Sequence, residues 1–373
     1  MDIPVDKPAV AKEGRLVSLD ALRGFDMLWI IGGGGILGGL AKGLNSPWFD
    51  QVIMPHTRHM PWEGFVAWDL IMPLFLFVVG AAMPFSFAKR LGQGQSKARI
   101  YLHIMLRVVI LWVLGMIAQG RLLEYDLATL RLYSNTLQAI AAGYLIASVL
   151  LLNLKAHWQA IATVALLLLY WALLMLVPVP GHGAGQLTEQ GNLAIYLDKL
   201  ILGPYQDGTT YTWILSGMTF ATTVMMGAFA GQLLRSDLGK VRKVLFLLAS
   251  GVACIYLGHW WGRIFPIIKH LWTSSMVLYA GGWSLLLLGV FYLVIDVLRL
   301  RFLAFPFVVI GTNAIAIYMM THVFDFRHLG DILVQGLSQW TGDWHSFVRA
   351  VASVAVIWLI LFYMYRKKTF IKV

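Results

Sequence analysis

Ten stretches of roughly twenty mostly apolar residues run along this chain, each bounded by charged or turn-forming residues. That length matches the hydrocarbon core of a bilayer. The pattern predicts helices over about 17–41, 64–88, 100–119, 133–153, 157–177, 212–234, 241–262, 274–297, 302–323 and 346–365. The first is the least regular. Asp20, Arg23 and Asp26 lie near its start and Gly32, Gly33, Gly34 and Gly35 in its middle. Glycines lower helix propensity but permit close backbone approach by a neighbouring helix or a ligand. Both uses stay open for Gly33 and Gly34. The longest connections are about 42–63 and 178–211. The second opens with Pro178-Val-Pro180-Gly181-His182-Gly183, a turn-rich helix stop. Connections this long in a compact bundle usually form caps or lids. No internal repeat stands out, so an inverted-repeat transporter gains no support. The fold class read here is an all-α polytopic membrane protein, a bundle of about ten transmembrane helices. A short segment, 1–15, precedes a transmembrane domain over 16–373.

Composition agrees. The 373 residues are 59% hydrophobic and 13% charged, a combination a soluble domain rarely shows. The net charge of +11 would suggest nucleic acid on a soluble protein. Here no basic helix is interleaved with aromatics, and the bases cluster between apolar spans, so no nucleic acid partner is read. Loop charge at the cytoplasmic face explains them. With the N-terminus inside, twenty of the 29 Lys and Arg fall on the inner side, Lys7, Lys12, Arg15 and Lys372 among them. Nine fall outside: Lys42, Arg58, Arg121, Arg131, Lys199, Arg263, Lys269, Arg327 and Arg349. That bias puts both termini in the cytoplasm. It places His59, the 178–211 segment and the 325–345 loop outside. The single cysteine, Cys254, excludes an intrachain disulfide. The polar start lacks the pattern of a cleaved signal peptide.

Polar residues near or inside apolar spans are costly, so they direct attention to chemistry. His59 sits just outside the second span, followed by Pro61 and Trp62. It suits a general base or an acyl acceptor, and equally an interfacial histidine beside an aromatic belt. His56 is a rival for either role, and Glu63 is a further candidate base. Asp69 lies one to two turns into the second span and needs a partner or a proton. It could orient a histidine, or pair with Arg107 or Arg131. Arg107, two turns into the third span, reads as a phosphate clamp or as a snorkelling side chain. Arg131, Asn135 and Gln138 share one helix face, suited to lining a site or to helix–helix hydrogen bonding. Asn313 is a polar residue inside the ninth span. Tyr318 and His322, four apart, share a face near its outer end, which makes His322 a candidate second histidine. No Walker A sequence, zinc spacing, dinucleotide fingerprint or serine-hydrolase elbow is present, and nothing demands a metal.

Several segments, in order and spacing, carry a resemblance. They are Arg15-Leu-Val-Ser-Leu-Asp20-Ala-Leu-Arg23-Gly24; His59-x-x-Trp62-x-Gly64 followed by Asp69-Leu-Ile-Met-Pro73; Leu137-Gln138; Leu176-Val-Pro-Val-Pro-Gly181; Tyr196-Leu-Asp198; Leu271-Trp272-Thr-Ser274; Gly311-Thr-Asn313-Ala; and Tyr365-Arg-Lys-Lys. Together they resemble the membrane acetyltransferase family of heparan-alpha-glucosaminide N-acetyltransferase and its bacterial homologues, over about residues 15–373. The resemblance implies acetyl transfer from acetyl-CoA, as co-substrate and with no metal, to the amine of glucosamine or of a glucosamine-terminated glycan. It implies a multi-pass protein of a bacterial inner membrane and a possible homodimer. It makes His59 the catalytic histidine, and the polar residues in or near the spans add Asp69, Asn313 and His322 as further catalytic candidates. Arg107, Arg131, Gln138, Gly33, Gly34 and Trp62 become candidate cofactor contacts. The chain departs from the family where Glu63 precedes the motif glycine and where the glycine run replaces an asparagine. A transporter of the same fold and an O-acyltransferase on a surface glycan are the alternatives.

Overall fold

The structure, a computed structural model, describes residues 16–371. The segment 1–15, with Lys7, Lys12 and Arg15, and the residue Lys372 lie outside the described residues. The described chain is built from helices and their connections, and β-pairing among these residues is limited to three isolated bridges. In order the helices are α1 (Val17–Leu28), α2 (Gly34–Leu44), α3 (Ile71–Gly92), α4 (Lys97–Ala118), α5 (Thr136–Asn153), α6 (Ala156–Leu176), α7 (Leu193–Leu202) and α8 (Gly217–Arg235). There follow α9 (Lys240–Trp261), α10 (Ser274–Tyr292), α11 (Arg301–Gly311), α12 (Ala314–Val323), α13 (Phe326–Val334), α14 (Ser338–Thr341) and α15 (His345–Arg366). Among the described residues nine helical runs are long and apolar enough to cross a membrane. A tenth is the pair α11 and α12, bent by 53° at Thr312–Asn313. Nine of the ten predicted spans are thus present as helical runs in an all-α bundle, and the predicted 302–323 span is the bent pair.

Three local features differ from the sequence reading. The first span is not one regular helix: α1 and α2 meet through a wide turn over Trp29–Gly33, where Gly32 leaves helical geometry. Residues 64–66 are not helical, and helix begins only at the tight turn Ala67–Leu70 that opens α3. The 325–345 segment is no simple loop. It forms α13 and α14, and α13 folds back along α15, with Gly330 against Ser353.

The bundle packs through small residues, because lipid offers apolar side chains no reward for associating and close backbone approach does. On α3 and α8, Gly80 lies against the Val224 carbonyl and Gly227 against that of Phe77, and a Cβ at either would collide with backbone. Gly24 and Gly311 play the same part between α1 and α11. Of these, α8 and α3 are the most deeply buried spans of the bundle. By contrast α4, α6 and α9 show mostly apolar side chains at their exposed faces, as lipid-facing helices do. The start of α1 meets the end of α10, where Ser18 N donates to Asp296 Oδ2 at 3.1 Å. The end of α15 meets the start of α11, where Tyr365 packs edge-on to Phe305. The two ends of the described chain thus share one face of the bundle. The opposite face is closed by the 177–216 segment, whose α7 sits on a second apolar cluster of Tyr170, Leu193, Phe265, Ile268 and Leu271.

Candidate functional site

The loop before α3 is fastened to the α9–α10 connection. Gly64 N donates to the Ile267 carbonyl at 2.8 Å, and Glu63 forms a single antiparallel bridge with Ile268. Gly64 has φ of +119°, which a side chain would strain. This fastening brings Lys269 beside His59, 210 residues earlier in the chain.

Asp69 is the organising group. It is fully buried at the tight turn that starts α3. Its Oδ2 accepts from Val66 N at 3.2 Å and Met60 N at 3.3 Å. Its Oδ1 lies 2.7 Å from His59 Nδ1 and 3.4 Å from Lys269 Nζ. Lys269 Nζ is also 3.0 Å from His59 Nδ1. One ring nitrogen cannot donate to Asp69 and accept from Lys269 together. The shorter contact and the carboxylate charge favour Nδ1–H donating to Asp69, with the ammonium paired to the same carboxylate. The tautomer this fixes leaves the lone pair of His59 on Nε2. Lys269 is buried, and loss of hydration brings its pKa down to about 8 although Asp69 opposes the fall. His270 falls to about 4, through burial first and then the neighbouring Lys269 and His59 charges.

His59 and Lys269 border a cavity of about 620 Å³. Trp68 lines it from the tight turn before α3, Met72 and Phe75 from α3, Gln119, Arg121 and Arg131 from the α4–α5 connection, and Tyr318 from α12. Asp207, Thr209, Tyr211 and Trp213 line it from the capping segment. Tyr211 stacks on His270 with ring centres 4.1 Å apart. Asp207 Oδ2 accepts from the Trp213 indole at 2.9 Å, which fixes that ring. Buried Asp198 accepts from Trp213 N at 2.7 Å and Ile214 N at 3.0 Å, and burial raises its pKa to about 6. Asn135 caps α5 and joins the Gln119 side chain (2.8 Å) to the Tyr318 hydroxyl (3.0 Å).

The sequence candidates divide. His59, Asp69 and Arg131 come together at this cavity, Arg131 with its guanidinium on the Pro204 carbonyl at 2.9 Å. Gln138 holds the 132–134 turn through Leu132 O and Ser134 N. Gly34 lies beneath the Trp68 indole and Gly33 beneath Trp29, so they act through packing and not as direct lining of this cavity. Trp62 is not in the lining either: its indole donates to Leu187 O at 3.0 Å and braces the cap. Asn313 departs from the expectation. Its side chain is spent on the backbone of Thr369 (3.1 Å) and Ile371 (2.9 Å), where the chain folds back after α15. His322 is exposed and bonded to its own helix at Tyr318 O, so it adjoins a lining residue without joining the lining. His56 accepts from Ala67 N at 3.4 Å, and Glu63 is exposed. Arg107 sits elsewhere, with Arg90 and His103 around a cavity of about 430 Å³ and its guanidinium 4.4 Å from the Tyr144 ring centre. It is twelve residues before Gln119, about 18 Å along the helix axis. Asp69 therefore pairs with Lys269, not with Arg107 or Arg131. Among the described residues no three His, Cys, Asp or Glu side chains gather to hold a metal.

Lys269, Asp207, Tyr211 and Trp213 escaped the sequence reading. The short Leu271–Ser274 motif beside Lys269 was the available signal.

Residues 15–191 match a family described as a domain of unknown function, DUF5009. The human heparan-alpha-glucosaminide N-acetyltransferase is 24% identical over 96% of this chain. The mouse enzyme is 24% identical over 85%. This chain resembles the heparan-alpha-glucosaminide N-acetyltransferases. It spans 60% of the human protein's length and 56% of the mouse protein's. The resemblance to those N-acetyltransferases runs through both halves of the bundle, so it includes the segments that supply His59, Asp69 and Lys269.

Proposed function

We propose that this protein is a membrane acetyltransferase that moves acetyl from acetyl-CoA to the amine of glucosamine or of a glucosamine-terminated glycan. The observation that carries the reading is the buried Asp69 carboxylate holding His59 by Nδ1 at the mouth of the cavity. That arrangement keeps Nε2 basic and oriented, the logic of a histidine–carboxylate pair in acyl transfer. In one route Nε2 takes the proton of the amine as its nitrogen attacks the thioester carbonyl. The tetrahedral adduct collapses, the carbon–sulfur bond breaks, and the thiolate leaves with the proton returned from His59. In the other, Nε2 attacks the carbonyl first and expels the thiolate. The amine nitrogen then attacks the acetyl carbonyl, the acetyl–Nε2 bond breaks to return the neutral imidazole, and the amine proton passes to the thiolate released in the first step. Asp69 stabilises the imidazolium in both. The Lys269 ammonium, which borders the cavity, supplies positive charge near the developing oxyanion.

The aromatic residues Tyr211 and Trp213, with Asp207, offer a surface for the sugar. Arg90 and Arg107 border a separate cavity toward the other end of α4 and suit the CoA phosphates. An extended thioester arm would bridge the distance along that helix. We read the membrane as a bacterial inner membrane with the His59 end outside. The surplus of Lys and Arg toward the opposite end supports that sidedness.

Purified protein in detergent, given radiolabelled acetyl-CoA and glucosamine, tests the proposal. Labelled N-acetylglucosamine from the native chain, absent with a folded His59→Ala variant, is the expected result. A folded native protein that binds the sugar but forms no product would refute it. A hydroxylamine-labile product would move the assignment to O-acyl transfer.

A further inference from the structure

A larger cavity, of about 980 Å³, lies beside the first. The two share a wall: Ile30 and His59 line one, and their chain neighbours Ile31 and Arg58 line the other. Lys42 reaches it from the end of α2, Arg58 from the loop before α3, Arg327 from α13 and Arg349 from α15. Four separate segments thus deliver one cation each. Arg349 is partnered by Asp331 at 3.7 Å. Among the described residues no carboxylate lies within ion-pair distance of Lys42, Arg58 or Arg327. Asp50 and Asp343 also line the space, and their carboxylates find no cationic partner there either. The room exists because α2 turns glycines toward it. At Gly38 a Cβ would meet nothing within 4 Å.

Cations convergent from distant parts of a chain and left unpaired around a concave space fit an external anion. Two guanidinium forks and an ammonium match a tetrahedral oxyanion better than a flat carboxylate. The two free carboxylates then accept hydroxyl donors from the rest of the ligand. We infer that this cavity is a second binding site, for the phosphate ester of a polyhydroxyl group, held by Lys42, Arg58 and Arg327 with its hydroxyls on Asp50 and Asp343.

The site stands independently of acetyl transfer, and its test measures binding alone. The same chemistry comes from a soluble sugar or glycerol phosphate or from a phosphatidylglycerol headgroup. Purified protein is titrated with glycerol 3-phosphate by calorimetry. In parallel, protein in phosphatidylcholine nanodiscs with and without phosphatidylglycerol is examined by native mass spectrometry for retained lipid. Saturable binding of the first probe identifies a soluble source, and retained phosphatidylglycerol a lipid one. In either case the Arg58→Gln/Arg327→Gln variant should bind at least about tenfold more weakly, as loss of charge-assisted hydrogen bonds implies. Gly38→Leu, which fills the space without a backbone clash, should bind more weakly while melting at or above the native temperature. Binding of neither probe, or binding indifferent to both variants, would overturn the inference.

Discussion

Replacing Asp69 by Asn tests the chemistry at its narrowest point. The amide is nearly isosteric, and its oxygen can still accept from Val66 N and Met60 N. What is lost is the charge facing His59 Nδ1 at 2.7 Å. A charge-assisted hydrogen bond contributes about 1.5–3 kcal/mol. If it is realised chiefly when the imidazole is cationic, kcat falls roughly 10- to 150-fold. The amide can also present its NH2 to Nδ1, which puts the imidazole proton on Nε2 and removes the base. In a serine-protease triad that error costs about 10⁴-fold, which marks the upper end. The substitution also strips Lys269 of its counter-charge. Asp69 is what holds the Lys269 pKa as high as about 8, so without it the ammonium releases its proton at lower pH. The stability loss of Asp69→Asn should therefore be larger at pH 6 than at pH 9. Initial rates of acetyl transfer and thermal melts at both pH values provide the measurements. A folded Asp69→Asn protein with native kcat would refute the orienting role of the carboxylate.

Other outcomes follow from the same geometry. The Lys269 pKa is depressed from 10.5, so between about 8 and 10.5 the unfolded chain binds more protons than the folded one. Native stability should rise across that window, and Lys269→Met should abolish the rise in denaturant titrations. His270 is depressed from 6.5 to about 4, so stability should fall as pH drops through that interval, and His270→Gln should flatten this acid limb in thermal melts. Tyr211→Ala removes a stacked ring from the cavity wall and should raise KM for the proposed amino-sugar substrate about two- to tenfold with a smaller change in kcat. Gly80→Ala places a methyl against the Val224 carbonyl and should destabilise the α3–α8 contact by about 1–3 kcal/mol, read as a lower melting temperature in detergent.

The membrane bundle was legible because each span must satisfy its own backbone and present apolar side chains to lipid. Both requirements are local, and the ten runs show them directly. His59 and Asp69 were legible for a related reason: ionisable groups at a membrane span are conspicuous, and ten residues separate them. Asn313 was conspicuous in the same way, yet its amide caps the returning end of the chain. Burial marks a polar residue as needing partners without saying which ones. The break between α1 and α2 was announced by four consecutive glycines, whereas the folding of α13 along α15 was not. Its residues are too few to span a membrane, and only the neighbouring helix gives them a place.

The sequence by itself determined the class of protein, the placement of most spans, the asymmetry of basic charge and the most conspicuous histidine, since each rests on the character of a residue and its near neighbours. Only the tertiary structure decided that Lys269 shares Asp69 with His59, that Tyr211, Trp213 and Asp207 complete the cavity, and that Arg107 stands apart at another. Those relations join segments up to 210 residues apart, and they depend on which loops are tied together at the closed end of the bundle. The tie is made by backbone groups, Gly64 to Ile267 and Glu63 to Ile268, and backbone hydrogen bonding leaves almost no trace in side-chain identity.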